Sequence, residues 1–214
     1  MEGSTTSPTP PGNQLVTEDL DQGVIIHFCP SFLSADEATA LFEHIVAAVA
    51  WEQSEMTLPD GSKARLPRLQ GWMSTENKKV STLYQKSPPT VWTEPVLKVK
   101  SAIEAALGKR CTFDYVLINL YRDGEDSIGF HIDDEARGVN ETYGPKNIVA
   151  SLSLGETRTF VLRHSRKKRL QRRYALTPGS LIVMDGTTQE FWRHGVPKEP
   201  EVKGPRINLT FRVS

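Results

Sequence analysis

The chain has 214 residues, 38% of them hydrophobic and 24% charged, which fits one globular domain with a sizeable core. No apolar run approaches the ~20 residues of a membrane-spanning helix, and two lone cysteines, Cys29 and Cys111, make neither a disulfide framework nor a zinc ribbon. The formal net charge of zero hides a division: residues 1–60 hold ten acidic groups and no Lys or Arg, so the remainder carries all 26 basic groups against 16 acidic ones, a surplus that points toward a polyanionic partner.

The opening "MEGSTTSPTPPGNQ" has no apolar h-region and no basic start, so it does not read as a secretory signal. Its Pro, Thr and Ser content predicts a disordered tail over residues 1–20 ahead of a single domain over 21–214. Unbonded thiols suit an intracellular protein of the nucleus or cytoplasm. "GVIIHFCPSFL" reads as a short strand entering a turn. Ser34 and Glu37 then form an S-x-x-E capping box, and Leu41, Ile45 and Val49 recur at helical spacing, so a helix is predicted from Ala35 to about Ala50. A second helix is predicted from about Thr93 to Leu107, with Pro95 in its first turn and Gly108 at its stop. Between them, residues 56–89 are polar and broken by Pro and Gly, with an Asp60-Gly61 turn; this stretch reads as hairpins and loops outside the core. From Phe113 onward, "TFDYVLINLY", "NIVASLSLG", "TRTFVLRH", "RRYALTP", "SLIVMDG", "FWRHGVP" and "RINLTFRVS" are short β-rich runs separated by turn residues. Such spacing predicts a β-sandwich or barrel, with both helices on one outer face.

The chemistry concentrates in "GFHIDDEARG", which follows the apolar run "YVLINLY". His131 and Asp133 are two positions apart, so in extended chain both point to one face. One distant histidine would complete a facial triad of two imidazoles and a carboxylate, the ligand set of non-haem Fe(II) oxygenases. His194 has the right type and order; hydrogen-bonded loop histidines are the alternative that these three residues leave open. The C-terminal strand alternates: Ile207, Leu209, Phe211 and Val213 would face a core, and Arg206, Asn208, Thr210 and Arg212 would face the other way. Two arginines and an asparagine on an inner face would grip a carboxylate. Asn119 and Tyr121 share a face in the same manner. Buried without a ligand, such groups would cost ~1–3 kcal/mol each.

With these residues in view the sequence resembles the AlkB family of Fe(II)/2-oxoglutarate-dependent dioxygenases, specifically its nucleic-acid alkylation-repair branch. The matching elements are "NLY" at 119–121, "HIDDE" at 131–135, "ASLSLG" at 150–155, His194 and "PRINLTFR" at 205–212, whose R-x-N-x-x-x-R spacing is the family's. The resemblance runs from about Leu66 to the C-terminus. It implies a mainly β (α+β) fold, a double-stranded β-helix or jelly roll over about 111–214, with a nucleotide-recognition lid over about 56–90. It implies Fe(II) held by His131, Asp133 and His194, and 2-oxoglutarate surrounded by Asn119, Tyr121, Arg206, Asn208 and Arg212, with Arg206 at the distal carboxylate. With O2 as co-substrate, the implied reaction is oxidative demethylation of 1-methyladenine- or 3-methylcytosine-type bases in DNA or RNA, releasing formaldehyde, succinate and CO2.

A damaged base must leave the stack, and an extruded base needs an aromatic platform. "LPRLQGWMS" supplies Trp72 and, from the preceding "PR", Arg68; Tyr84 is a second contact, and Glu135 occupies a position that the resemblance turns toward the base pocket. "RHSRKKRLQRR", with Arg163, Arg166, Lys167, Lys168 and Arg169 among its cations, reads as a hairpin end for phosphate contact. The expected partner is alkylated nucleic acid, without a membrane, for a monomeric enzyme. A hydroxylase of protein, lipid or a small molecule would keep the metal and 2-oxoglutarate residues without needing Trp72 or the basic hairpin. A binding module with a dead site would keep only the hairpin.

Overall fold

The computed structural model describes residues 14–20, 22–58, 60–75, 88–133, 136, 138–167 and 169–214. In chain order the first half contains β1 (Val16–Asp19), β2 (Val24–Cys29), α1 (Ala35–Ala48), β3 (Glu55–Thr57), β4 (Lys63–Arg65), β5 (Leu69–Ser74), β6 (Thr90–Val91) and α2 (Glu94–Ala106). The second half contains β7 (Tyr115–Tyr121), β8 (Ile128–His131), β9 (Val139–Asn140), β10 (Gly144–Pro145), β11 (Val149–Gly155), β12 (Arg158–His164), β13 (Gln171–Leu176), β14 (Leu181–Gly186), α3 (Thr188–Phe191), β15 (Trp192–Val196) and β16 (Arg206–Arg212). Among the described residues no helix is long and apolar enough to cross a membrane.

Two sheets face each other. The larger has the order β1-β2-β14-β11-β16-β7-β5-β6, the smaller β13-β12-β15-β8. On the outer face of the larger sheet, Ile207, Leu209 and Phe211 of the C-terminal strand, with Val213 just beyond it, join Ile118, Leu152 and Val183 against Leu41 and Ile45 of α1 and Val99 and Ile103 of α2. The expected alternation is therefore observed, and both helices cover one face. α1 begins where its cap dictates: the Ser34 side chain accepts from the Glu37 amide, and the Glu37 carboxylate accepts from the Ser34 amide at 2.9 Å. Between the sheets lies a second apolar cluster, including Ile26, Ile182, Leu162, Tyr174 and Trp192. The inner face of the larger sheet is polar toward β7 and β16, and this is where the site forms.

Three expectations are corrected. The tail expected to reach residue 20 gives way at Val16 to β1, an edge strand paired with β2. The stretch 56–89 is not all hairpin and loop: β3 and β4 form a hairpin, but β5 is an interior strand of the large sheet, with Met73 and Ser74 at 0% exposure. β6 also pairs there, so the large sheet takes strands from the region expected to be a lid, and β2 from before it. Tyr84 lies outside the described residues.

Asp185, 1% exposed, ties β14 to its surroundings through Arg110 Nη1 at 2.5 Å, His27 Nε2 at 3.3 Å and the Gly186 amide at 2.6 Å. Burial alone would raise its pKa, but the bonds from His27, Arg110 and Gly186 outweigh it and hold the carboxyl at about 2 against an ordinary 3.8. A depressed folded value stabilises the fold fully above about pH 4, and that stabilisation is lost as pH falls through about 2. Asp185→Asn should therefore cost on the order of 2 kcal/mol at neutral pH. Urea midpoints should show the gap between variant and wild type closing toward about pH 2; a gap independent of pH would contradict the ionic role. The two cysteines are buried and form no disulfide with each other, and burial pushes the Cys111 thiol up to about 12.

Candidate active site

The strand register explains how distant residues meet. His131 ends β8 and is the cross-strand partner of His194 on β15, so both imidazoles leave the sheet side by side, their ring centroids 4.3 Å apart. Asp133 stands two residues beyond β8, 3% exposed, with its carboxylate oxygens 3.6 Å from Nε2 of each histidine. One ligand atom from each of the three residues lies within 4.8 Å of the other two. The His131 ring is oriented by donation from Nδ1 to the Gly129 carbonyl at 2.9 Å, which leaves Nε2 bare for a metal. Burial lowers the His194 pKa to about 3 against the opposing pull of Asp133, so this imidazole is neutral near pH 7, the form that ligates. Burial would raise the Asp133 carboxyl, yet Arg212, His194 and His131 together hold it well below the usual carboxylate range.

Beside this triad the inner face of the large sheet presents its polar residues in rows. Arg206 is opposite Tyr121, Asn208 opposite Asn119, Thr210 opposite Leu117, and Arg212 opposite Tyr115. Arg206 is 1% exposed and lies over the Tyr121 ring, its Cζ 5.2 Å from the centroid. It donates from Nη2 to Ser153 Oγ at 2.9 Å, while Nε and Nη1 have no partner among the described residues. Desolvated donors of this kind are costly without an acceptor. Asn208 donates to Ser151 Oγ at 2.6 Å and accepts from Thr210 Oγ1 at 3.0 Å. Arg212 Nη2 is 2.9 Å from Asp133 Oδ1, at the metal end of the row. A narrow cavity touches His131, His194, Asn119, Tyr121, Asn208 and both arginines. The residues therefore fit both implied groups: two imidazoles and a carboxylate for Fe(II), and a buried guanidinium with free donors for a dicarboxylic acid. His131, Asp133 and His194 would hold the metal, and Arg206 the distal carboxylate of 2-oxoglutarate.

The residues expected at the substrate are placed more variously. Trp72 lies on β5 rather than on a loop, 5% exposed and clustered with Tyr115 and Leu117. Its register partner Leu117 faces Thr210, so the indole belongs to the inner face that carries Arg212. Arg68, expected at the substrate, is 7% exposed and donates from Nε to Asn119 Oδ1 at 3.0 Å, where it orients a residue of the acid pocket. Gln70 makes a longer contact with the same oxygen. At the β12–β13 hairpin Arg166, Lys167 and Arg169 are exposed. Arg163 is also exposed and stacks on Phe130, with Cζ 4.0 Å from the ring centroid. Glu135 and Lys168 lie outside the described residues.

Sequence reasoning missed Arg158, which is buried and holds two loops beside Tyr121, and Gln189, which contacts the Asp133 backbone. Neither carries a sequence signal that separates it from a surface residue.

A family model described as the 2OG-Fe(II) oxygenase superfamily matches residues 26–212. The relative named alpha-ketoglutarate-dependent dioxygenase alkB homolog 3 from Bos taurus is 35% identical over 192 residues, covering 86% of this chain and 64% of its own length. The chain thus spans just under two thirds of that relative. DNA oxidative demethylase ALKBH2 from Mus musculus is 32% identical over 230 residues, covering 99% of this chain and 92% of its own. The solved structure of OsALKBH1 superposes with a TM-score of 0.63 at 19% identity, covering 92% of this chain and 100% of that one, a likeness of fold. The breadth of the family match and the near-complete overlap with a homologous relative establish that this chain belongs to the 2OG-Fe(II) oxygenase superfamily, within its AlkB family.

Proposed function

We propose that the chain is an Fe(II)/2-oxoglutarate-dependent oxidative demethylase that removes N-linked alkyl groups of the 1-methyladenine and 3-methylcytosine type from DNA or RNA. The observation that carries this reading is the convergence of His131, Asp133 and His194 beside a buried Arg206 with two free donors. Bound iron with 2-oxoglutarate and O2 supplies the oxidising chemistry, which hydroxylates the N-alkyl carbon and yields succinate and CO2. Arg206 and Tyr121 fix the far end of the acid, and Arg212 keeps Asp133 ionised and in place. Asn119, held by Arg68, closes the side of the pocket. The printed name of the ALKBH2 relative, DNA oxidative demethylase, supports a nucleic-acid substrate, as does the exposed cationic hairpin Arg166, Lys167 and Arg169. On this reading Trp72 offers a flat apolar surface to an extruded base, and Tyr84 and Glu135 are further contacts. The hairpin cations, with Lys168 and Arg163, grip phosphate without choosing sequence. The enzyme would act as a monomer inside the cell, in nucleus or cytoplasm, where two buried cysteines stay reduced.

The test is formaldehyde and succinate release from a methylated oligonucleotide, with Trp72→Ala and a combined Arg166→Ala/Lys167→Ala/Arg169→Ala variant. Base stacking is worth ~1–3 kcal/mol, so the Trp72 variant should lose about tenfold or more in kcat/KM. The hairpin variant should raise KM and flatten its dependence on salt. Turnover indifferent to both would favour a protein, lipid or small-molecule substrate.

A further inference from the structure

We propose that Gln189 is a positioning residue for the metal-binding aspartate, and that it links the two separate segments from which the ligand set is built. The inference rests on the assignment of His131, Asp133 and His194 as ligands and adds to it a residue that touches no metal.

β8 ends at His131, so the Asp133 backbone has left the sheet and has no strand partner. Its amide donates instead to Gln189 Oε1 at 2.9 Å. Its carbonyl accepts from the Ala136 amide at 2.9 Å, so the peptide units on both sides of the ligand are held. Gln189 is 2% exposed, and among the described residues its amide nitrogen has only the Met184 sulfur at 3.7 Å, a weak acceptor. Burying a side-chain amide with one of its two ends nearly unsatisfied is unfavourable. A methionine or leucine would fill the same space without that cost. Among the described residues the one strong bond that the Gln189 side chain makes is therefore the one to Asp133.

The platform beneath Gln189 is firm. α3 is a single turn whose Thr188 hydroxyl donates to the Asp185 carbonyl at 2.5 Å, and the chain runs directly from α3 into β15. His194 thus follows Gln189 by five residues on one continuous support. The bond from Gln189 to Asp133 closes a ring: β8 delivers His131, its continuation delivers Asp133, and α3 fixes that continuation to the segment that delivers His194. A carboxylate that must meet two imidazoles within a few tenths of an ångström gains most from such backbone fixation, since outer partners typically set about 10–100-fold in metal affinity.

The experiment uses Co(II) as the probe on metal-free full-length protein, with the dissociation constant from calorimetry and ligand-field absorbance as the spectroscopic signature. Gln189→Met matches the volume and removes the acceptor; Gln189→Glu keeps an oxygen at the same reach. We expect Gln189→Met to bind Co(II) about 10–100-fold more weakly with an altered spectrum, and Gln189→Glu to recover much of the loss. Gln189→Asn, which withdraws the acceptor by one methylene, replaces the methionine variant should that one not fold. Wild-type affinity in the acceptor-lacking variant, or equal weakening in the methionine and glutamate variants, would overturn the inference. A His131→Ala control separates this from failure of the ligand set: if His131→Ala binds Co(II) as wild type does, the ligands themselves are misassigned.

Discussion

Asp133→Ala is expected to abolish turnover and also to lower the stability of the metal-free protein by about 3–5 kcal/mol. The first effect removes the only carboxylate among the three converging ligands. The second follows from what else the carboxylate does. It lies 2.9 Å from Arg212 Nη2 in a place where the aspartate is 3% and the arginine 6% exposed. Removing one partner of a buried pair leaves the other charge desolvated, which costs far more than the pair itself contributes. A carboxylate held well below its ordinary pKa by its neighbours is one that those neighbours need. His131→Ala makes the contrast. Its side chain is 34% exposed, and Arg212 and His194 act on Asp133 more strongly than it does, so its loss should abolish turnover with a smaller change in the melting temperature of the metal-free protein. Calorimetric melting of the two variants beside formaldehyde release separates the roles. Equal melting of Asp133→Ala and wild type would show that Arg212 finds another counterion, and retained turnover in either variant would refute the ligand set.

The same residues show where sequence reading succeeds and where it fails. The alternation in "RINLTFR" was legible because one face of β16 packs on helices in a conventional apolar core, so Ile207, Leu209 and Phe211 mark that face unambiguously. The capping box of α1 was legible because its chemistry is local. His131 and Asp133 stood out by spacing, but their meeting with His194 depends on a strand register that no local pattern encodes. β5 was misread for a physical reason. The inside of this fold is polar at the site, so the buried residues of β5 include Gln70 and Ser74, and a strand that hides polar side chains looks like a loop. Gly71 adds to the disguise; it is required because a Cβ there would collide with Val49 at the end of α1. β1 was misread for the opposite reason: its residues are largely exposed, so "VTED" offers no apolar alternation. Arg68 could not be told from an arginine that contacts substrate, because an arginine that orients a pocket and one that meets a ligand are the same letter.

Arg158 is the clearest case of that ambiguity and is expected to carry the largest purely structural effect. It is 1% exposed, and its guanidinium is fully engaged: Nε donates to Glu199 Oε2, Nη1 to the Asp123 carbonyl, and Nη2 to the carbonyls of Asp126 and Pro197, at distances from 2.6 to 2.9 Å. It thereby clamps the loop after β7 to the loop after β15. The close approach of these loops is also written in Gly124, where a Cβ would overlap the Glu199 carbonyl. The clamp reaches the acid pocket through Tyr121, for Arg158 and Arg206 lie 5.7 and 5.2 Å from the centroid of the same ring. Arg158→Ala should cost about 3–5 kcal/mol, because it leaves three carbonyls unpaired and takes the cation from a partly buried Glu199, which keeps its bonds from Thr159. In a chain of this size that is a fall of roughly 10 °C in melting temperature. Arg158→Lys should recover little, since an ammonium cannot span a carboxylate and three carbonyls in the plane of a fork. Adding Glu199→Ala to Arg158→Ala should cost less than the sum of the single changes, because the ion pair can be lost only once. At a temperature where the variant is folded, the KM for 2-oxoglutarate should rise as the loops beside Tyr121 loosen. A stable Arg158→Ala protein with unchanged 2-oxoglutarate KM would mean that the clamp is redundant and that the pocket floor is held by the sheet alone.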